Sequence, residues 1–142
     1  MTPLFDTNVV SEFRKSQPAA QLERWFEAHS EPGFISVLTV GEIEKGIARL
    51  GATRRAETIS AWLDRLVTTT FAGRILPVDE PVARAWGELC GRNQRDGHVL
   101  PVVDSLLAAT ALVHDLTVIT RNSRDFERCG VPVENPWGDP PA

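Results

Sequence analysis

Short apolar runs alternate along the chain with longer segments in which hydrophobic residues recur every three or four positions. The short runs end at turn or polar residues and predict β-strands, whereas the longer spacing predicts amphipathic helices. Strands are predicted at residues 4–5, 34–37, 75–78, 117–120 and 131–133. Six helices are predicted. The first follows a cap at Thr7 or Asn8, the second contains Leu22, and the third begins at Thr39. The fourth contains Ile59, the fifth begins after Asp79, and the sixth begins at Val103.

The segment from Val103 to Val113 is apolar nearly all round, so its helix is predicted to be central. Strands separated by one or two helices imply right-handed crossovers and a parallel sheet with both faces covered. The predicted fold class is therefore α/β, a three-layer α/β/α domain with a central, mostly parallel sheet of four to five strands. Ligands of such sheets bind beyond the carboxyl ends of the strands, near the point where strand order reverses.

Composition narrows the class of protein. The 142 residues are 42% hydrophobic and 24% charged, which predicts one globular domain over residues 1–142. No basic leader and no apolar run of about 20 residues is present, so we expect a cytoplasmic protein without membrane contact. Cys90 and Cys129 lie far apart without a C-x-x-C partner, and both are expected to be reduced.

The charge balance restricts how the chain could meet nucleic acid. A net charge of -4 argues against coating of nucleic acid by an overall positive field but permits a local basic rim. Thirteen of the 15 basic residues are arginines, the side chain suited to bidentate phosphate contacts. Arg14, Lys15, Arg121 and Arg124 are the candidate phosphate guides.

Acidic side chains cluster where the predicted strands end. Asp6 ends the first strand, Glu42 lies in the helix after the second, Asp104 opens the central helix, and Asn122 and Asp125 follow the fourth strand. Carboxylates gathered without lysine resist ionisation, and a hard cation such as Mg²⁺, or Mn²⁺ in its place, relieves the repulsion. Such metals activate water and stabilise charge on phosphate. The edge of the sheet is therefore a candidate hydrolytic site.

Each of these residues also has a purely local explanation. Asp6 could cap the helix that follows it, and residues 39–42 match a capping box. Asp104 would gain from the helix dipole, while Asn122 could be a cap with Asp125 as its first-turn acid. The presence of all of them on one edge of the sheet is what favours a site.

Other familiar chemistries find little support. His29, His98 and His114 lack metal-ligand spacing, and no glycine-rich phosphate-binding motif is present. Asp79 is explained as the cap of a helix that begins with Glu80 and Pro81. Tryptophans on helical stripes predict core packing, with base stacking left open only for Trp137.

Five segments in this order resemble a PIN-domain toxin of the VapC type, in its FitB-like branch. The resemblance covers nearly the whole chain, so it does not depend on one short motif. The segments are Asp6-Thr7-Asn8-Val9-Val10-Ser11-Glu12, Thr39-Val40-Gly41-Glu42, Phe71-Ala72-Gly73-Arg74-Ile75-Leu76-Pro77, Asp104-Ser105-Leu106-Leu107-Ala108-Ala109-Thr110-Ala111 and Thr120-Arg121-Asn122-Ser123-Arg124-Asp125-Phe126.

The resemblance implies a magnesium-dependent endoribonuclease with metal ligands Asp6, Glu42 and Asp104. It also implies the toxin of a type II toxin-antitoxin system, blocked by a small antitoxin that binds operator DNA, and a homodimer or a hetero-oligomer with that antitoxin. Many relatives carry a fourth acid where this chain has Asn122. Either Asn122 or Asp125 could therefore complete the catalytic set.

Two rival functions are weighed against this hypothesis. An aspartyl-phosphate phosphotransferase or phosphatase would use the aspartate after the first strand, but no lysine follows Lys45 to neutralise a phosphoryl group, and no second acid stands two residues after Asp6. A catalytically inactive PIN domain could serve only as an antitoxin-binding scaffold or co-repressor. Retention of three acids counts against this second rival.

Overall fold

The computed structural model describes residues 1–138 and contains, within them, five β-strands and six α-helices. The strands are β1 (Pro3–Phe5), β2 (Ile35–Ser36), β3 (Ile75–Leu76), β4 (Thr117–Ile119) and β5 (Val133–Glu134). The helices are α1 (Thr7–Glu12), α2 (Ala20–Ala28), α3 (Val37–Leu50), α4 (Arg54–Arg65), α5 (Glu80–Arg95) and α6 (Val102–His114). A π-helical turn, Leu66–Thr70, continues α4, and a 3-10 turn, Ser123–Phe126, follows β4.

The strands pair in parallel, as the helical crossovers between them predict. β1 pairs with β4, β4 with β5, and β2 with β3. A parallel bridge between Leu4 and Phe34 joins β1 to the segment that enters β2. The strand order is therefore β3-β2-β1-β4-β5, with the reversal of order at β1. This arrangement confirms the predicted central parallel sheet and places β3 and β5 at its edges.

Alternating strand residues divide the core into two layers of helices, because successive side chains of a strand point to opposite faces. Phe5 and Ile119 pack on one face with residues from α1 to α4. Leu4 and Val118 pack on the other with residues from α5 and α6. The predicted three-layer α/β/α architecture is confirmed.

Helix α3 starts earlier than its sequence pattern predicts. Ser36 is the N-cap, and its hydroxyl accepts a hydrogen bond from the Leu38 amide at 3.0 Å. Thr39 is therefore already inside the helix, and the predicted capping box over residues 39–42 is wrong. Ser36 and Thr39 are both possible caps. Because β2 pairs with β3 up to Ser36, the strand ends there and Ser36 becomes the cap.

Several other boundaries move by a few residues. Strand β3 stops before Pro77, which has no amide hydrogen to donate, and β5 begins after Pro132 for the same reason. The cap of α1 is Asp6 rather than Thr7 or Asn8. Asp79 caps α5 as predicted, accepting from the Val82 amide at 3.2 Å.

Two expectations about the chain as a whole can be compared with the structure. Cys90 and Cys129 are both free thiols, as predicted. None of the helices between residues 1 and 138 combines the length and hydropathy that a membrane-spanning helix requires.

Candidate active site

The candidate site lies where β1 and β4 end side by side. The Asp6 amide donates to the Ile119 carbonyl at 2.9 Å, so Asp6 and Thr120 leave adjacent strands together. Strand order reverses at β1, whose neighbours are β2 and β4. Connections leave such a point in opposite directions and open a crevice at the carboxyl end of the sheet.

Asp6 is held at the floor of this crevice. The residue is 8% exposed. Its Oδ1 accepts a hydrogen bond from the Thr7 amide at 2.8 Å, and its Oδ2 accepts one from the Thr120 hydroxyl at 2.8 Å. Asp6 thus does cap α1, as its local explanation proposes, and the cap leaves it facing the other acids. Capping and a site role are compatible for this residue.

The carboxyl group of Asp6 has a raised pKa. Burial is the largest cause, and the hydrogen bonds from Thr120 and Thr7 oppose it without overcoming it. The negative charges of Glu42 and Asp125 raise the pKa further. Asp6 is therefore a buried acid whose ionised form lacks full compensation.

Glu42 lies on the second turn of α3 and is solvent-exposed. The Thr7 hydroxyl donates to its Oε1 at 2.6 Å and lies 3.1 Å from the Thr39 hydroxyl. A hydroxyl carries a single proton, so Thr7 donates to Glu42 and can accept from Thr39. The residue after Asp6 therefore orients Glu42 toward the site.

Asp104 occupies the first turn of α6, whose N-cap residue Pro101 makes no side-chain cap. The pKa of Asp104 is raised to about 6, first by burial and then by the charges of Asp6, Asp125 and Glu42. A carboxylate that served only the helix dipole would have a lowered pKa. Repulsion and burial outweigh the dipole here, and this balance favours the site interpretation of Asp104.

Asn122 and Asp125 differ in their relation to these acids. Asn122 stands at the cap position of the 3-10 turn, but its side chain makes no capping hydrogen bond. The backbone amide of Asn122 donates to the Thr120 hydroxyl at 3.0 Å. Asp125 contributes negative charge that raises the pKa of both Asp6 and Asp104. The proposed side-chain cap at Asn122 is therefore wrong, and Asp125 lies within the field of the acidic cluster.

Two polar residues at the site were given no chemical role by the sequence pattern. Asn8 Nδ2 donates to the Thr120 hydroxyl at 3.2 Å, and Asn8 Oδ1 accepts from the Arg121 amide at 3.1 Å. Thr120 in turn donates to Asp6. These bonds tie the end of β4 to α1. A polar residue directly after a buried strand, as at Thr120, is the signal that could have identified them.

The predicted phosphate guides have unequal surroundings. The Lys15 ammonium forms an ion pair with Glu12 at 2.9 Å, whereas Arg121 lies over the Trp137 ring, 5.2 Å from its centroid. Arg124 is exposed beside Asp125. Arg14 lines a cavity that also includes Glu42. All four residues stay predictions, and the Lys15 side chain remains 61% exposed in its ion pair with Glu12.

The chemistry of the cluster fits a hard divalent cation. Among residues 1–138, no three His, Cys, Asp or Glu side chains are grouped so that they could hold a metal ion as they stand. The cluster suits a hard divalent cation because of the type of its donor atoms and because of its negative charge. The acids supply carboxylate oxygens, and none of the ion pairs in the described part of the chain involves them. Their uncompensated repulsion is what a cation would relieve.

The chain resembles known proteins in sequence over nearly its whole length. The family described as PIN domain matches residues 4–131. The chain is 36% identical over 137 residues to Toxin FitB of Neisseria gonorrhoeae, covering 96% of this chain and 99% of that one. It is 34% identical over 135 residues to VapC ribonuclease Y4jK of Sinorhizobium fredii, covering 94% and 96%.

Solved structures resemble the whole chain as well. The structure of FitAB bound to an IR36 DNA fragment contains a chain with a TM-score of 0.86 and 33% identity, covering 99% of both chains. A toxin-antitoxin complex from Klebsiella pneumoniae contains one with a TM-score of 0.67 and 26% identity, covering 95% of this chain and 98% of that one.

Proposed function

The chain belongs to the PIN-domain family, as its motifs predict, and we propose that it is a metal-dependent endoribonuclease acting as the toxin of a type II toxin-antitoxin system. Residues 1–142 would form one PIN domain that hydrolyses RNA phosphodiester bonds in the cytoplasm, where its substrate is found. The cofactor would be Mg²⁺, with Mn²⁺ as a substitute.

One observation carries the proposal. At the switch point of a parallel sheet, the charges of Glu42 and Asp125 raise the pKa of both Asp6 and Asp104, and the pKa of Asp104 reaches about 6. Folding that leaves such repulsion in place favours a functional rather than a structural role. Relatives named as a toxin and as a ribonuclease support the same assignment.

A bound divalent cation would supply positive charge for the phosphate transition state and a more reactive water. Asp6 and Asp104 are the principal ligands in this proposal. Hydrogen bonds from Thr7 and Thr120 fix the Asp6 carboxylate, so its oxygens are oriented before substrate arrives.

Glu42 would act as a third ligand or would orient the attacking water. The 2.6 Å hydrogen bond from Thr7 leaves Glu42 Oε2 free for that purpose. Asn122 or Asp125 completes the catalytic set, and the charge of Asp125 makes it the stronger candidate. Hydrolysis adds water across one P–O bond, with the departing oxygen taking a proton.

The experiment that tests the activity is cleavage of labelled RNA by the purified protein in Mg²⁺, in Mn²⁺ and in EDTA. We expect cutting only with metal. Undiminished cutting in EDTA would overturn the metal mechanism. Sequencing the fragment ends would identify the cleavage sequence and the chemical nature of the new termini.

The proposed partner is a small antitoxin that blocks the acids and binds operator DNA, in a hetero-oligomer or beside a homodimer of this chain. The support comes from structural relatives, one a complex bound to DNA and one a toxin-antitoxin complex. A net charge of -4 favours an antitoxin segment that places a basic or aromatic side chain against the acids.

Toxicity separates an active toxin from an inactive scaffold or co-repressor. Expression of the chain alone is expected to arrest growth, and expression of Asp104→Asn is not. Equal growth of cells that contain folded parent and folded variant would argue for the scaffold. Rescue by a small neighbouring gene product would identify the antitoxin.

A further inference from the structure

A cavity adjoins the acidic cluster without belonging to it. It has a volume of about 280 Å³, close to the lower end of ligand-binding pockets, and it opens between α1, α3 and α4. Thr7 and Glu42 line both the cavity and the acidic site. A molecule that reaches the acids can therefore extend into this cavity without a break.

The inner wall of the cavity is apolar and includes one aromatic ring. Ile43 and Ile59 are buried there, and Ile47 and Trp62 are partly buried. The partly buried indole of Trp62 is the only aromatic side chain that residues 1–138 contribute to this wall. Apolar and aromatic walls of this kind accept the flat face of an unpaired nucleobase.

The rim of the cavity carries two arginines, Arg14 from the turn that follows α1 and Arg55 from the first turn of α4. Both are exposed, and within residues 1–138 neither guanidinium group forms a side-chain hydrogen bond or an ion pair. Their charge is opposite to that of the neighbouring acids. Free guanidinium groups beside an apolar wall suit a ligand that joins a base to a phosphate.

Gly46 keeps the cavity open. It lies inside α3 and is exposed, and a Cβ atom added there would meet no atom within 4 Å. Glycine in a helix interior is destabilising relative to residues with side chains, and here no packing constraint requires it. Its effect in the structure is to leave the space beside Glu42 unfilled.

We infer that this cavity is a nucleotide subsite of the proposed ribonuclease: it takes one unpaired nucleotide next to the scissile phosphate of single-stranded RNA, with the base against Trp62 and the flanking phosphate on Arg14 and Arg55. The inference rests on the proposed function for the position of the scissile phosphate. It makes the cavity the part of the molecule that selects a nucleotide beside the cut.

The charges on the rim favour RNA over a polypeptide as the occupant. A basic antitoxin segment suited to the acids would meet Arg14 and Arg55 at this rim and would be repelled by them. An RNA strand matches the cavity better, because the apolar faces of its bases suit the apolar wall and its anionic phosphates suit the two arginines on the rim.

The test fills the cavity and measures RNA binding apart from cleavage. Gly46→Leu places a side chain in the open space, and Gly91→Leu on α5 is the matched control, since Gly91 is also an exposed helical glycine with nothing near an added Cβ. Leucine favours a helix over glycine at both positions. The probe is a fluorescein-labelled, random-sequence RNA decamer in EDTA, read by anisotropy.

We expect Gly46→Leu to weaken binding about tenfold, the scale of one stacked base, and Gly91→Leu to bind like the parent. With Mg²⁺ present, fragment-end sequencing should show a nucleotide preference beside the cut for the parent and Gly91→Leu, and a flattened one for Gly46→Leu. Binding by Gly46→Leu equal to that of the parent would overturn the subsite and leave the cavity to a polypeptide.

Arg55→Ala keeps the test decisive if Gly46→Leu folds poorly, because the exposed Arg55 side chain forms no ion pair with any residue in the described range 1–138. Its control is Arg95→Ala on α5, also exposed. We expect Arg55→Ala to raise KM for RNA several-fold with kcat little changed, and Arg95→Ala to change neither. Equal KM values for the two variants would overturn the phosphate contact. Failure of the parent to cut RNA with Mg²⁺ would count against the proposed function, while the binding comparison in EDTA still decides the subsite.

Discussion

Asp6 and Glu12 stand at opposite ends of the same short helix, and each is 8% exposed. Their electrostatic surroundings are opposite. Glu12 accepts from the Ala19 amide at 3.0 Å and pairs with Lys15 at 2.9 Å, and the hydrogen bond from Lys15 is the largest cause of its lowered pKa. Asp6 accepts three hydrogen bonds but forms no ion pair within residues 1–138, and burial with neighbouring acids raises its pKa.

The difference separates a structural acid from a functional one. Glu12 ties the segment between α1 and α2 to the helix, and its negative charge is matched by a cation on the next turn. Asp6 keeps an unmatched charge beside Glu42, Asp104 and Asp125. Burial alone therefore does not identify a site. The informative feature is burial without compensation.

The sharpest test of this comparison is catalytic. Asp6→Asn and Asp104→Asn should each reduce RNA cleavage by more than about a hundredfold, because even outer partners of metal ligands are worth 10–100-fold. Asn can still cap α1, so circular dichroism should show an unchanged fold. Glu12→Gln, the matched substitution, should retain cleavage when assayed below its own melting transition. Full activity of Asp104→Asn would refute the proposed ligand set.

The free energy of unfolding gained on metal binding should distinguish an acid of the site from the structural acid Glu12. A saturating divalent cation binds only the folded site and should stabilise the parent by RT ln(1 + [L]/Kd), about 2.7 kcal/mol at a hundredfold excess over Kd. Glu42→Gln should reduce that gain, and Glu12→Gln should leave it unchanged. Thermal unfolding with and without Mg²⁺ measures it. An equal gain in Glu42→Gln and the parent would mean that Glu42 does not contact the metal.

The metal-free protein should respond to pH with opposite signs at the two regions. The folded pKa of Asp104, about 6, is above its ordinary value of 3.8, so its contribution to stability is present below pH 3.8 and is lost as pH rises through 6. Glu12 has a lowered pKa, so its contribution is present above its ordinary value of 4.5 and is lost on acidification.

The measurement is denaturant unfolding in EDTA between pH 4 and 7. Asp104→Asn should be more stable than the parent near pH 7, by an amount that shrinks toward pH 4. Glu12→Gln should be less stable than the parent near pH 7. The same sign of change at pH 7 for both variants would contradict the distinction between compensated and uncompensated acids.

The smallest expected effect concerns the fourth position of the acidic set. Asn122→Asp adds a charge and should tighten Mg²⁺ binding a few-fold, whereas Asp125→Asn removes a charge that Asp6 and Asp104 feel and should slow cleavage. Metal titration and initial rates measure the two effects. If both variants change only thermal stability, the position is structural and the site reduces to Asp6, Glu42 and Asp104.

The order of strands and helices, and the edge at which the acids gather, follow from the sequence alone. Apolar periodicity distinguishes strands from helices, and parallel strands necessarily end at one edge of the sheet. That is why Asp6, Glu42, Asp104 and Asp125 could be predicted as one cluster although they are scattered over the chain. Element boundaries were less predictable, because local cap signals compete, as Ser36 and Thr39 do.

Only the tertiary structure decides which polar groups form hydrogen bonds or ion pairs with each acid. The bond from Thr120 to Asp6 spans 114 positions and the bond from Thr7 to Glu42 spans 35. Whether such groups meet depends on strand register and on the rotation of α3 against α1, which no local pattern encodes. Lys15 is close to Glu12 in sequence, so that compensation could be anticipated. Within residues 1–138 no cation forms an ion pair with Asp6, and this is visible only once the chain is packed around that residue.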